Sequence, residues 1–451
     1  MARFLLVCLF SCTLLAQNPN PVVESTRYIR ADMEFLASDA LQGRGSATRD
    51  ELLAATFIAS QLQQYGIDPV NGSYVQTADL DRVELEGPVS LSVEGVQLNP
   101  DADFRAFSLS GQTVSGPLKK VSVADAENAT GILFLKAENE DQGRSTLHKA
   151  YGLRNASLVL VGTTEKSFAE TSRFVRAPRM PQGLKGELTQ GRNVILLSPA
   201  TTRAVESQKD GISVSLNYQT KIEAAHTYNA IGILPGSDPK LRSQAILLSA
   251  HLDHLGIGKP VSGDSIYNGA DDDASGVTAV LELARFLGSK KDRPQRTVIF
   301  VLFGSEETGG QGDHYFIEHP PVPLKDIVAN LEFEMIGRAD PKVRRDQLWL
   351  TGWERTDLGP ELAHRGAKLV ADPRPDQQFF QRSDNYALAK QGVVAQTISS
   401  FGLGDYYHEP SDDLAHIDFD HLAQAIDSLH EPVEWLVNTS WKPEWKSGKK
   451  P

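Results

Sequence analysis

Past its first dozen residues the chain has no cysteine. The two it contains, Cys8 and Cys12, both fall inside the apolar stretch Phe4 to Leu15. A chain processed after that stretch can therefore rest on neither disulfides nor thiolate metal ligands. A basic stripe is also missing. Lys and Arg number 45 against 58 Asp and Glu, a formal net charge of −13, which argues against a phosphate-binding surface and excludes nucleic acid as the expected partner. No apolar run is long enough to span a bilayer, since Phe4–Leu15 falls short of the roughly 20 residues a crossing helix needs. There is no internal repeat.

What the first residues do carry is order. Met1, Ala2 and Arg3 precede the apolar run, which ends at Ala16, the layout of a secretory signal peptide over 1–16 and of an exported protein, periplasmic or extracellular. A buried N-terminal strand is the plainer alternative. Leu9, Phe10, Ser11 and Cys12 also resemble a lipoprotein cleavage box, which would tether the protein through a lipid on Cys12. Nothing in the sequence specifies an oligomeric state.

At 451 residues the chain exceeds one ordinary domain, so two folded units are expected. From Tyr28 to Gly66 apolar residues recur at helical spacing, as in Leu52, Leu53, Ala55, Ile58, Ala59 and Leu62, with a break at Leu41–Gly45 between two helices. Gly66 suits a helix end. Between about 76 and 222 the pattern changes to short β-like runs, among them Gly131–Leu135, Ser157–Val161 and Val194–Leu197, which predicts a β-rich insert. The flanking segments 24–75 and 223–440 then form one domain. From His226 onward strands of four to eight apolar residues alternate with helical stretches, predicting an α/β unit with a mixed, mostly parallel sheet flanked by helices. The Lys-, Pro- and Gly-rich end, 441–451, reads as a disordered tail.

Metal-binding residue types follow successive strands of that unit. After Ala245–Ser249 come His251 and Asp253, and a metal-bound imidazole needs its other ring nitrogen held, which a carboxylate two residues away can do. Asn268–Gly276, NGADDDASG, opens a helix. Its three adjacent carboxylates repel one another, and a solvated cap is the plainer reading. A pair of divalent cations bridged by one carboxylate reverses that energetics, and Asp271 is the bridging candidate.

Thr297–Phe303 runs into Glu306 and Glu307, whose side chains point apart: Glu307 to bind metal, Glu306 to take a proton from activated water as general base. Exposed loop glutamates are the alternative. Ile327–Met335 carries Glu332 and Glu334 in an apolar run, and charges are seldom buried unless paired or metal-bound. Glu334 lies nearer the carboxyl end of that strand and is taken as the ligand. After Val393–Ser399, His408 closes the set, with Tyr407 beside it as a donor to a developing oxyanion. The expected ligands are thus His251, Asp271, Glu307, Glu334 and His408, beyond strand carboxyl ends as in open α/β sheets.

These residues resemble the two-zinc exopeptidase family that includes the secreted bacterial leucyl aminopeptidase and glutamate carboxypeptidase. HLD at His251–Asp253, GADDDASG at Gly269–Gly276, SEETG at Ser305–Gly309, FEMIG at Phe333–Gly337 and YHEPSDD at Tyr407–Asp413 follow the family's motif order. The resemblance implies two zinc ions, one held by His251 and Glu334, the other by Glu307 and His408, with Asp271 bridging, Glu306 as base and Asp253 supporting. It implies a peptide substrate, with Asp384 and Asn385 of RSDN near the substrate pocket, and it makes the insert similar in placement to a protease-associated domain. LQGRG at Leu41–Gly45 resembles the family's N-terminal helix pair. There are two departures: Glu334 stands where many members have Asp, and Asn385 where His is usual. The implied activity is that of a zinc metallopeptidase, an aminopeptidase ahead of a carboxypeptidase. A glutaminyl-cyclase-type cyclotransferase and a metal-free binding module are the rivals.

Overall fold

The computed structural model describes residues 21–137, 139, 142–172 and 178–451. The expected leader, with Cys8 and Cys12, lies outside the described residues. Two N-terminal helices, α1 (Pro21–Leu36) and α2 (Arg49–Gln64), flank a short 3-10 turn at Asp39–Arg44. Thr48 caps α2 by accepting from Asp50 N and Glu51 N at 3.2 and 3.4 Å, and the acids of that first turn suit the positive end of the helix. Gly66 follows the helix at φ 73°, the left-handed turn the sequence position suggested.

The main sheet is ten-stranded. Its principal strands are β1 (Val75–Leu85), β2 (Thr220–Leu234), β3 (Ala245–His251), β4 (Thr297–Phe303), β5 (Ile327–Phe333) and β6 (Ala395–Ser399). They lie in the order β6-β5-β3-β4-β2-β1, with 348–350 and 369–371 beyond β6 and 182–184 beyond β1. At the centre β6, β5, β3 and β4 run parallel, and the edge strands 348–350 and 369–371 are parallel to each other, while 348–350 opposes β6, β2 opposes β4 and β1 opposes β2. The sheet is mixed, as expected, with its parallel strands at the centre and antiparallel pairs on either side of them.

The central strands are largely apolar because both of their faces are covered, β3 and β4 most completely, while β5 carries Asn330 and Glu332 and β6 carries Gln396 and Thr397. In β3, Ile246, Leu248 and Ala250 face one core while Ala245 and Leu247 face the other; in β4, Val298, Phe300 and Leu302 oppose Ile299, Val301 and Phe303. The first core is closed by α1, α2, α3 (Gly276–Gly288) and the C-terminal helices 419–427 and 430–438. The second is closed by Phe316 and Leu388 from the helices 311–318 and 385–390. Period-two side-chain alternation thus sets a helical layer on each side.

β1 and β2 pair over a long antiparallel register, from Thr220↔Leu85 to Ala230↔Val75, so the chain leaves and re-enters the main sheet on neighbouring strands. Between them lies an eight-stranded sheet drawn from 90–217 with its own cores, in which Ile132 and Phe134 oppose Leu133 and Leu135. It is not purely β: helices 143–152, 165–172 and 199–207 accompany it, and 182–184 returns to the main sheet beside β1. No helix among the described residues is long and apolar enough to cross a membrane.

The expected disordered tail is packed. Trp445 Nε1 donates to Gly392 O at 3.2 Å, Lys446 N donates to Arg355 O at 2.8 Å, and the rings of Trp441 and Trp445 lie against the core. Two indoles packed on the core outweigh the disorder-favouring composition around them.

Asp32 on α1 is 6% exposed, and burial together with Glu282 raises its carboxyl to about 7 despite Arg285. A raised acid pKa means that the folded state binds more protons than the unfolded one between about 4 and 7. Its contribution is then fully present below the unfolded value and is lost as pH rises through 7. Asp32→Asn is expected to be more stable than the natural chain at pH 8 and to lose that advantage at pH 5, measured as denaturation midpoints. The same difference at both pH values would contradict this.

Candidate metal centre

The carboxyl ends of β3, β4, β5 and β6 open into one cavity lined by Asp272, Glu306, Glu307, Glu334 and Tyr407, with Trp349, Phe379 and Phe401 as apolar wall and Arg382 as its cation. His251 ends β3. Its Nε2 stands 3.1 Å from Asp272 Oδ1, and its Nδ1 is 3.2 Å from Asp253 O and 3.7 Å from Asp253 Oδ1. The other oxygen, Asp272 Oδ2, is 3.3 Å from His408 Nε2, which is in turn 3.1 Å from Glu307 Oε2. Burial opposes the charge of Asp272, but the two histidines outweigh it and hold the carboxylate well below its ordinary value. Glu307 is held down to about 2: His408 and His254 overcome its burial.

Asp271 is not in this cluster. Its Oδ1 accepts from Gly337 N at 2.7 Å and its Oδ2 from the Tyr406 hydroxyl at 2.9 Å, so it ties the turn to the end of β5, and Asp272 is the carboxylate that faces both histidines. The correction has a backbone cause: Asp272 and Asp273 leave helical geometry, at φ −106°, ψ 94° and φ −128°, ψ 40°, which turns successive side chains apart. Asp273 accepts from Gly276 N and Met335 N at 3.0 Å, partly fulfilling the cap reading. Asp412, within the YHEPSDD run, accepts from Asp271 N at 2.9 Å and Asp272 N at 3.0 Å and fixes the turn from the opposite side.

Asp253 touches three parts of the site. Besides lying beside His251, it accepts from Glu306 N at 3.0 Å, Glu307 N at 3.4 Å and Ser46 Oγ at 2.5 Å. Glu306 lies in the cavity, where burial and the neighbouring Glu307, Glu334 and Asp253 raise its carboxyl well above the usual range, against His251. Glu334 reaches about 7 by burial, eased by His251. Tyr407 stacks on His408 with ring centroids 3.8 Å apart, and burial raises its phenol, so it keeps its proton.

Asn385 does not reach the cavity. It is buried, and its side-chain amide donates to Phe380 O and Ala395 O at 3.3 and 3.4 Å. Asp384 is likewise buried and outside the lining, so Arg382 is the residue of RSDN on the cavity wall. Helix 385–390 packs against β6, and this packing turns 384 and 385 inward. Glu332, left open by the sequence, accepts from Ser383 Oγ at 2.7 Å and Asn385 N at 2.5 Å, and is a structural acid.

Local sequence contains no hint of the brace formed by residues 44–51. Glu51 Oε1 accepts from Ser305 N, Thr227 Oγ1 and Ser305 Oγ at 2.8, 3.0 and 3.2 Å, steadying the turn before Glu306. Arg44, fully buried, donates from Nε to Leu252 O, from one terminal nitrogen to Leu36 O and Asn268 O, and from the other to Gly269 O, at 2.6–2.9 Å. It joins α1 to the two turns that carry His251 and Asp272. Arg44→Met would leave four buried carbonyls without that donor and is expected to destabilise the fold by about 3 kcal/mol or more. A urea midpoint close to that of the natural chain would disprove the clamp.

The donors suit a cation. His408 Nε2 is buried without a hydrogen bond of proper direction, which is costly for a protein group facing other protein groups and normal for one facing an ion. The 3.1–3.3 Å spacings lie within about 0.2 Å of the roughly 3.3–3.4 Å edge of a tetrahedron whose bonds are about 2.0–2.1 Å. His254, Asp272 and Glu307 also offer donor atoms all within 4.8 Å of one another. Nitrogen and oxygen donors without thiolate suit zinc or a related divalent ion.

Residues 229–432 match the family model described as Peptidase family M28. The aminopeptidase YwaD of Bacillus subtilis is 26% identical over 226 residues, 48% of this chain and 46% of that protein, so the match spans less than half the length of this curated relative. Among solved structures, the aminopeptidase from Aneurinibacillus sp. strain AM-1 superposes with a TM-score of 0.61 at 18% identity, over 92% of this chain and 94% of its own. A zinc aminopeptidase from Bacillus subtilis gives 0.57 at 20% identity, over 92% and 96%. At these identities the likeness establishes the α/β fold.

Proposed function

We propose that this chain, whose residues 229–432 match peptidase family M28, is an exported zinc metallopeptidase that removes N-terminal residues from peptides. The observation that carries the reading is the division of Asp272: one oxygen beside His251, the other beside His408, as a carboxylate bridging two cations requires. Glu334 with His251 would hold one ion, and Glu307 with His408 the other. The names of the similar aminopeptidases support the same activity.

Bound zinc supplies Lewis acidity, polarising a peptide carbonyl and bringing the pKa of water toward neutrality. Glu306 takes the proton of the attacking water and returns it to the leaving amine. Asp253 orients His251 and the Glu306–Glu307 backbone. Tyr407 donates to the developing oxyanion, and Trp349, Phe379 and Phe401 receive an apolar side chain. The catalytic domain is built on the main sheet, which the chain leaves after β1 and re-enters at β2, so the protease-associated-like insert contracts from the expected 76–222 to about 90–217.

Arg382 favours a second reading, because a cation on the cavity wall would pair with a substrate carboxylate, as in a carboxypeptidase of this fold. Elemental analysis of the zinc-equilibrated protein, joined to hydrolysis of free-amine and N-blocked peptides, tests both. Two ions per chain and cleavage of free-amine substrates alone are expected. Cleavage of N-blocked peptides would favour the carboxypeptidase; one ion with cyclisation of glutaminyl peptides would favour the cyclotransferase; no ion would favour a binding module.

A further inference from the structure

His254 stands in the site without a role in the two-cation reading. It is fully buried; its backbone N–H donates to Arg44 O at 3.0 Å; and its ring is seated against Gly269, where a Cβ would come within 2.5 Å of Cγ. Only a glycine, here at φ 61°, leaves the ring that place. Its Nδ1 is 2.7 Å from Glu307 Oε1, and neither atom has another hydrogen-bond partner. Building on the two-cation reading, we propose that His254 is a positioning residue: it holds Oε1 of Glu307 so that Oε2 alone is offered to the second cation.

The distances separate this role from direct ligation. Donors facing a common ion are spaced as His408 Nε2, Asp272 Oδ2 and Glu307 Oε2 are, at 3.1–3.3 Å. His254 Nδ1 breaks that pattern on both sides, 2.7 Å from Oε1 and 3.9 Å from Asp272 Oδ2. The short approach lies off the straight line of a hydrogen bond, and a small turn of the carboxylate about its own axis, as Oε2 takes up the ion, corrects it. With Oε1 engaged, Glu307 binds through one oxygen, which keeps the half-site at low coordination number and suits zinc over ions that take more oxygen ligands.

The test compares the natural protein with His254→Ala and His254→Asn, since the asparagine amide nitrogen can occupy the place of Nδ1. Affinity for the second zinc ion is read by chelator competition, and coordination by the visible absorption of the cobalt-loaded proteins, which weakens as coordination number rises. H254A is expected to bind the second ion about 10–100-fold more weakly, with a weaker cobalt band, and H254N to recover both. Unchanged affinity and spectrum in H254A would overturn the proposal. So would loss of the second ion in both variants at saturating metal, which would make His254 a ligand. A natural protein that binds no second ion refutes the two-cation reading itself and this inference with it.

Discussion

Glu306→Gln is expected to lower turnover by about two orders of magnitude or more while metal content stays at the natural level, the loss typical of removing a general base. The side chain lines the cavity beside Asp272, Glu307 and Glu334, and its backbone N–H is anchored on Asp253 at 3.0 Å. Glutamine keeps the shape and the anchor but cannot accept a proton. Because the proposed ligands are other residues, elemental analysis should find the ions in place. Near-natural turnover with intact metal would remove Glu306 from the role, and loss of metal would make it part of the coordination set.

Asp272→Asn is expected to lose at least one of the two ions, with affinity falling more than about 100-fold, beyond what removal of an outer partner does. An amide offers one oxygen and one N–H₂, so it cannot face His251 and His408 in the way the carboxylate does at 3.1 and 3.3 Å. Asp271→Asn is the control that decides between neighbours. Its carboxylate accepts from Gly337 N and the Tyr406 hydroxyl, so the change should cost about 1–3 kcal/mol of stability and leave both ions bound. Calorimetric titration with zinc and a denaturation curve separate the two effects. The reverse pattern would make Asp271 the bridge.

The difference between 271 and 272 shows where sequence reasoning ends. Three consecutive aspartates in NGADDDASG announce a charged turn that needs something to balance it, but which of them faces the histidines depends on backbone dihedrals at 272 and 273 that neither composition nor period-two or helical spacing encodes. The same holds for RSDN. Its likeness to a family motif put Asp384 and Asn385 near the substrate pocket, yet helix 385–390 packs against β6, Asp384 and Asn385 are buried and Arg382 is the residue that lines the cavity.

What the sequence by itself determined is the part of the molecule set by local pattern. Apolar runs at 245–249, 297–303 and 327–335 read as strands and are strands to within two residues at their ends, because both faces of a central strand must be covered, and the order of the acids and histidines that follow them comes from the chain alone. Only the tertiary structure decided which groups meet. Arg44, Ser46 and Glu51 brace turns some 200 residues away, His254 reaches Glu307 across two strands, and the tail is held by two indoles against the core. Each of these is a contact between segments distant in sequence, satisfied by the geometry of burial and hydrogen bonding, and a linear pattern carries no record of the distance between residues that folding brings together.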